Sequence, residues 1–494
     1  MSKRLSEATL ADLPAGVQRP DYDRRTVRTG IVHLGIGAFH RAHQAVYTDD
    51  VLARDPNWGI VAASLRSPDT YDALDPQNGL YAVSIRSKDG EAIRIVGAIS
   101  RVIVAPEAVD SLLDVMADPG TRIVSLTVTE KGYCHDPATG ALNESHPDIV
   151  HDTANPHRPR SAPGFIVEAL RRRRRAGTPP FTVLTCDNLP SNGRTVKRVL
   201  TRYAELIDQE LGVYIANEVS CPSTMVDRIV PATSDEDRDR ISRTLGMLDA
   251  WPVVTEPFTQ WVIEDRFPQG RPAWEAAGAE FVPDVEPYEH MKLRLLNGSH
   301  STLAYLGYLA GYKTVADTMA DPAFVRLVQG LMDEEVTPTL HMPQDADLTS
   351  YKQALVERFK NPALRHRTWQ IAMDGSQKLP QRLLGTVRDR LRQDASIDRL
   401  ALGVAGWMRY VTGVDEKGMP IDVRDPMAGQ LRMVAERAGR SPERLASELF
   451  AIHEIFGNDL PSDPRFTRAV TEALGLLYAN GAKRTVADFT STSV

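Results

Sequence analysis

Gly30-Ile31-Val32-His33-Leu34-Gly35-Ile36-Gly37-Ala38-Phe39-His40-Arg41 is the stretch that decides the fold. A short β-like run, Gly30 to Leu34, meets two glycines one residue apart, and a helical pattern continues through Ala45, Tyr47 and Val51. Strand, glycine turn and helix together are the context of a dinucleotide site. Gly35 allows the tight turn, Gly37 lets the backbone approach a pyrophosphate, and the following helix offers its N–H groups to the anion. His40 stands where a third glycine would complete the G-x-G-x-x-G pattern, so taken alone the stretch also fits a plain βα turn.

Downstream, Trp58 to Arg66 reads as the next strand, whose end would meet the adenosine ribose. An acidic side chain there favours NAD, whereas a basic or small one tolerates a 2′-phosphate. Here Arg66 and Ser67 come first and Asp69 follows, so the sign is mixed. Leu80 to Arg86 and Ala92 to Ala105 are strand-like and suggest an antiparallel excursion. Ala108 to Ala117 is helical. Arg122 to Tyr133 and Phe181 to Gly193 are apolar strands that each end in a polar cluster. Ligands of a doubly wound sheet collect at the carboxyl ends of strands. Thr129, Glu130, Asp187 and Asn188 therefore point toward one crevice, although Asp187 and Ser191 also suit a helix cap or turn. Arg66, Thr129, Glu130 and Asn188 are the candidate cofactor contacts at these ends. A helix over 191–210 follows.

Strand and helix alternate up to about residue 285. Beyond it, helical patterns dominate over 286–311, 322–335, 350–360, 378–393, 396–411, 441–455 and 464–480. The expected class is α/β: a Rossmann-type, doubly wound, dinucleotide-binding domain, 1–285, followed by a mostly α-helical substrate and catalytic domain, 286–494.

The second domain opens on Tyr288-Glu289-His290-Met291-Lys292-Leu293-Arg294-Leu295-Leu296-Asn297-Gly298-Ser299-His300-Ser301. The stretch has no proline, and its apolar positions recur at helical spacing. At about 100° per residue, Lys292, His300 and Asn297 fall at roughly 0°, 80° and 140°, within one sector of the helix surface. Glu289 lies one turn before Lys292. An amine, an amide, an imidazole and a carboxylate facing one cleft suit metal-free oxidation of an alcohol. Burial makes a lysine a proton acceptor near neutral pH, amide N–H groups hold a developing alkoxide, and histidine orients hydroxyls. On its own, the same stretch is also an amphipathic surface helix.

Composition narrows the class. A length of 494 residues exceeds one ordinary core. A net charge of −7 with scattered arginines gives no footing for nucleic acid. The run Arg171 to Arg175 reads as the solvated C-terminal end of a helix, where cations are favoured. Three cysteines without a CxxC spacing argue against a disulfide framework or a zinc site and for a reducing compartment. Without an apolar signal core at the N-terminus or an apolar run of membrane length, a cytoplasmic protein with no membrane partner is expected.

Together these segments resemble the polyol-specific long-chain dehydrogenase, or mannitol dehydrogenase, family. The matching stretches are Val32 to Gln44, Ser125 to Tyr133, Thr185 to Gly193, Thr224 to Pro231, Trp251 to Pro257 and Met291 to Ser301, with the Lys-x4-Asn-x2-His signature at Lys292, Asn297 and His300. The resemblance implies Lys292 as general base, Asn188 and Asn297 on the reacting oxygen, His300 on substrate hydroxyls and Glu289 as a proton relay. It places Gly35, Ile36, Gly37, Ala38, Phe39 and Arg41 on the dinucleotide, and implies NAD as cofactor, no metal and often a monomer. Asn361 to Arg382, Glu130 to Cys134 and Leu402 to Tyr410 look like the branch that interconverts D-fructuronate and D-mannonate. Mannitol-type dehydrogenation is the alternative, so the implied partner is a small sugar acid or polyol. A sugar acid carries a carboxylate, for which Lys378, Arg365 and Arg367 are candidate cations; the arginines equally suit structural ion pairs.

Overall fold

In the computed structural model, which describes residues 3–136, 139–344 and 346–491, the chain divides into two compact units, Met1–Glu286 and Pro287–Val494. The first is built on a parallel sheet of β1 (Thr29–Leu34), β2 (Gly59–Ser64), β3 (Ile99–Val104), β4 (Ile123–Leu126) and β5 (Thr182–Thr185), in the order β3-β2-β1-β4-β5. All four strand pairs are parallel. The chain winds outward on one side of β1, then crosses to the other, which leaves the switch point between β1 and β4.

The strands are buried on both faces, so they read in sequence as nearly continuous apolar runs. Successive residues feed opposite cores. Val32, Val124 and Val183 join one cluster with Phe165, Leu170 and Val199. Ile31, Ile123 and Leu184 join the other with Trp58, Trp261 and Trp274. A sheet with a core on each face is the doubly wound, Rossmann-type layer that the sequence predicts.

The antiparallel excursion is a hairpin of Tyr81–Ser87 and Gly90–Val96, but the apolar run 92–105 divides. Its second half leaves the hairpin and becomes β3. The break falls at Gly97, whose N–H is taken by Asp49 Oδ1 at 2.8 Å and whose carbonyl accepts Arg24 Nε at 3.0 Å. The polar arm also packs: Leu5, Leu13 and Val17 are buried against Leu80, Ile93 and Ile95 of the hairpin region.

Two helix expectations are corrected. The helix over 191–210 ends at Ile207; Asp208, in extended backbone, accepts Glu210 N and Leu211 N and starts a second helix, Gln209–Glu218. The arginine run closes the helix Ala162–Ala176, yet it is not uniformly solvated. Arg173 is buried and donates to the carbonyls of Asp118 (2.7 Å), Pro179 (2.7 Å), Thr121 (3.0 Å) and Met116 (3.2 Å). It ties the end of one helix to the turn before β4, whereas Arg174 and Arg175 are exposed.

The second unit is mostly helical. The patterned stretch 286–311 is three consecutive pieces: α-helix Glu286–Met291, π-helix Lys292–Gly298 and α-helix Ser299–Leu309. Two more π segments, Leu331–Val336 and Pro380–Leu384, sit within the stretches 322–335 and 378–393. The pattern 464–480 belongs to Pro464–Ser491, which breaks at Gly481 (φ 75°). No helix among the described residues is long and apolar enough to cross a membrane.

Candidate active site

In the first unit, β1 ends in the turn that the glycines allow. Gly35 has φ +94°, and a Cβ there would lie 2.2 Å from Thr127 O, so only glycine fits. The N–H groups of Gly35 and Ile36 both bond Ala63 O of β2. A Cβ at Gly37 would meet nothing closer than 3.9 Å, which leaves its face clear for a close ligand. The helix that follows is shorter than the sequence suggests: Ala38–Ala42 and Gln44–Asp49 are separated at His43 (φ −124°, ψ −97°).

His40 explains the missing third glycine. Its ring is buried and stacks on His33 of β1 at 3.4 Å between centroids and 12° between planes. Helix and strand therefore meet through stacked imidazoles where a glycine would bring the backbones together. His33 bonds Ser125 Oγ (2.8 Å) and Thr127 Oγ1 (2.9 Å), and burial pushes its pKa down to about 3. Burial, reinforced by the neighbouring basic side chains, holds His40 well below its ordinary value too. Both rings are neutral at physiological pH.

A cavity of ≈ 290 Å³ opens at this turn. Gly35, Ile36, Gly37, Arg66 and Thr129 line it; Ala38, Phe39, Glu130 and Asn188 are not among its lining residues. Arg41 is placed elsewhere: it is buried, donates to Trp251 O and lies over the Tyr81 ring. Arg66, Ser67 and Thr70 give the lining a polar part, joined by Asp148, Arg160 and Ser161. The second group comes from a segment without motif or periodicity, so no sequence signal singles it out. The cleared glycine floor and this polar part fit a dinucleotide.

Asp187 is not a helix cap. Its carboxylate accepts the N–H groups of Val128 (2.9 Å) and Thr129 (3.1 Å) and the Tyr133 hydroxyl (2.7 Å), and burial raises its pKa to about 6. It thereby clamps the turn after β4, where Thr129 is held at φ +62°. Ser191 also has a left-handed backbone, φ +44°. Strain of this kind collects at ligand sites. Asn188, immediately after Asp187, is exposed at the end of β5, and Glu130 is exposed in the turn after β4.

In the second unit, Lys292 and His300 are each 7 % exposed, and Asn297 and Glu289 are half-buried. The π-helix changes their geometry. Its i→i+5 bonds wind the backbone more widely than an α-helix, so the separation of about 140° between Lys292 and Asn297 that 100° steps give is narrowed. Gly298 closes the segment where another backbone passes, since a Cβ there would lie 2.8 Å from Arg382 O of the π segment Pro380–Leu384. His300 packs against the rings of Phe359 (5.1 Å) and His366 (4.8 Å). Burial pushes its pKa far down, helped by the nearby basic groups His366, Arg382, Arg358 and Lys378. Of the candidate cations, Lys378 Nζ donates to Met373 O (2.6 Å) and Ile371 O (3.4 Å), whereas Arg365 and Arg367 are exposed.

For a metal, Cys134, His146 and Asp148 are the grouping among the described residues, with potential ligand atoms within 4.8 Å of one another. Burial pushes the Cys134 thiol up to about 12, away from the thiolate that binds metals. His146 Nδ1 accepts the Asp148 N–H at 3.2 Å as the cap of helix Pro147–Ala154. His146 and Asp148 are thus engaged at a helix start.

Comparison with known proteins matches both units. Residues 29–276 fit the mannitol dehydrogenase Rossmann domain and residues 284–478 the mannitol dehydrogenase C-terminal domain. The chain belongs to the mannitol dehydrogenase family of oxidoreductases. It is 48 % identical to D-mannonate oxidoreductase of Escherichia coli (strain K12) over 97 % of this chain and 99 % of that protein. It is 40 % identical to mannitol 2-dehydrogenase of Aspergillus fumigatus, over 98 % of each. The solved structure of Pseudomonas fluorescens mannitol 2-dehydrogenase, a ternary complex with NAD and D-mannitol, superposes with a TM-score of 0.89 at 41 % identity, covering 99 % of both chains.

Proposed function

We propose that this protein is an NAD-dependent, metal-independent oxidoreductase that interconverts D-fructuronate and D-mannonate. The observation that supports the reaction type is the π-helix Lys292–Gly298, which starts at the buried Lys292 and carries Asn297, with the buried His300 just beyond it. The near full-length similarity to a D-mannonate oxidoreductase supports the substrate.

Gly35 and Gly37 would hold the pyrophosphate, with Arg66 and Thr129 along the same cavity. Bound there, the nicotinamide supplies the hydride acceptor for oxidation and the donor for reduction. The Lys292 amine takes the hydroxyl proton of D-mannonate as C–H cleavage makes its oxygen a carbonyl, and the ammonium returns that proton in the reverse direction. The Asn297 amide donates to the oxygen on which negative charge develops, and Asn188 is assigned the same role. His300 holds neighbouring hydroxyls. Glu289, one helical turn before Lys292, passes the proton to solvent.

Activity with D-fructuronate and D-fructose, both with NADH, tests the substrate. We expect a higher kcat/KM for D-fructuronate. A preference for D-fructose would replace this reading with mannitol 2-dehydrogenation, the reading that similarity to the mannitol complex supports. The cofactor is tested separately. Arg66 and Ser67 at the ribose end do not repel a 2′-phosphate, so NADH is expected to be preferred over NADPH only modestly. A higher kcat/KM with NADPH would overturn the preference.

A further inference from the structure

Resting on the sugar-acid reading above, we infer that the substrate carboxylate is recognised by Arg382 and Arg358, set around His300, and not by the exposed Arg365 and Arg367. The argument begins with the contact between two π segments. Arg382 lies in Pro380–Leu384, whose backbone runs against Gly298 at the end of Lys292–Gly298. That approach fixes the Arg382 side chain beside the reaction segment, where its Nη1 donates to Ser301 Oγ at 3.1 Å, one residue past His300. Arg358 arrives from helix Leu348–Phe359. It is 8 % exposed, and its neighbour Phe359 packs on the His300 ring.

The ionisable groups that act most strongly on His300 are all basic: His366, itself pushed down to about 4 by burial, and the charged Arg382, Arg358 and Lys378. Gathering cations around a buried imidazole raises the local potential and keeps that ring neutral. A neutral polyol gains little from such a field. A carboxylate next to the hydroxyls that His300 holds gains charge-assisted hydrogen bonds, and a guanidinium presents the planar fork that matches two carboxylate oxygens. Lys378 fits this task less well, because its ammonium already points at the carbonyls of Met373 and Ile371. It adds charge, while the arginines supply the directional contact.

The test is the ratio of kcat/KM for D-fructuronate over D-fructose in the full-length enzyme and in Arg382→Gln, Arg358→Gln, Arg365→Gln and Arg367→Gln. Losing a charge-assisted bond lowers the ratio about ten- to a hundredfold. That loss is expected in Arg382→Gln or Arg358→Gln, mainly through KM for D-fructuronate. A purely structural arginine would depress both substrates together and leave the ratio in place. Should Arg382→Gln lose its thermal unfolding transition, Arg382→Lys keeps the charge without the fork, and a lowered ratio is still expected. An unchanged ratio in both Arg358 and Arg382 variants, or a larger fall in Arg365→Gln or Arg367→Gln, overturns the inference while the sugar-acid function stands. Wild-type preference for D-fructose overturns the function itself.

Discussion

Lys292→Ala is expected to lower kcat by about 10²- to 10⁴-fold, the range that a positioned general acid–base contributes. The loss should appear in both directions, because the same amine takes the proton in oxidation and returns it in reduction. NADH binding, followed by fluorescence titration, should be nearly unchanged. The glycine cradle belongs to the unit Met1–Glu286, and Lys292 belongs to Pro287–Val494. Small primary amines added to the variant should restore part of the turnover by standing in for the missing Nζ. Since Lys292 is only 7 % exposed, truncation leaves a small cavity, so thermal unfolding must be measured alongside. A folded Lys292→Ala enzyme with wild-type turnover would remove the residue from this role.

Asn297→Ala carries the second large effect. Removing one donor from a developing oxyanion lowers kcat by about 10²- to 10³-fold. If the amide acts only as charge builds on the oxygen, kcat and kcat/KM should fall together and KM should move little. A variant that raises KM but keeps kcat would mean the amide binds substrate and transition state alike, and the assignment would fail. Asn188→Ala is expected to fall in the same range. Asn297→Asp should be worse than Asn297→Ala, because a carboxylate repels the alkoxide that the amide supports.

The glycine turn and the residue set of the site can be read directly from the chain. Gly35 is diagnostic because its φ of +94° and the carbonyl 2.2 Å from any Cβ admit no other residue. Four of the five parallel strands are legible because burial on both faces turns them into apolar runs; the remaining one, Ile99–Val104, is hidden in the longer run 92–105, which reads as an antiparallel excursion. Lys292, Asn297 and His300 stand out because polar groups with chemistry sit at fixed spacing within an apolar helical pattern. By contrast, Asp187 looks like an ordinary turn residue until Val128, Thr129 and Tyr133 are seen to converge on its carboxylate. Arg173 looks solvated until four carbonyls from three segments surround it.

By itself, then, the sequence determined the Rossmann-type layer and the helical second unit, since these rest on local rules: glycine sterics, apolar runs and helical period; the proposed acid–base set comes from the family resemblance of the stretch around Lys292. Only the tertiary structure decided how that set is arranged. A π turn and an α turn share nearly the same apolar spacing over seven residues, so nothing local distinguishes Lys292–Gly298 from a plain helix. What the tertiary structure adds there is a remote backbone, Arg382 O, packed where Gly298 has no side chain. The same contact brings Arg382 to Ser301, 81 residues away in sequence. Cations around His300 are likewise gathered from separate helices, and an electrostatic environment assembled over such distances leaves no trace in any one stretch of sequence.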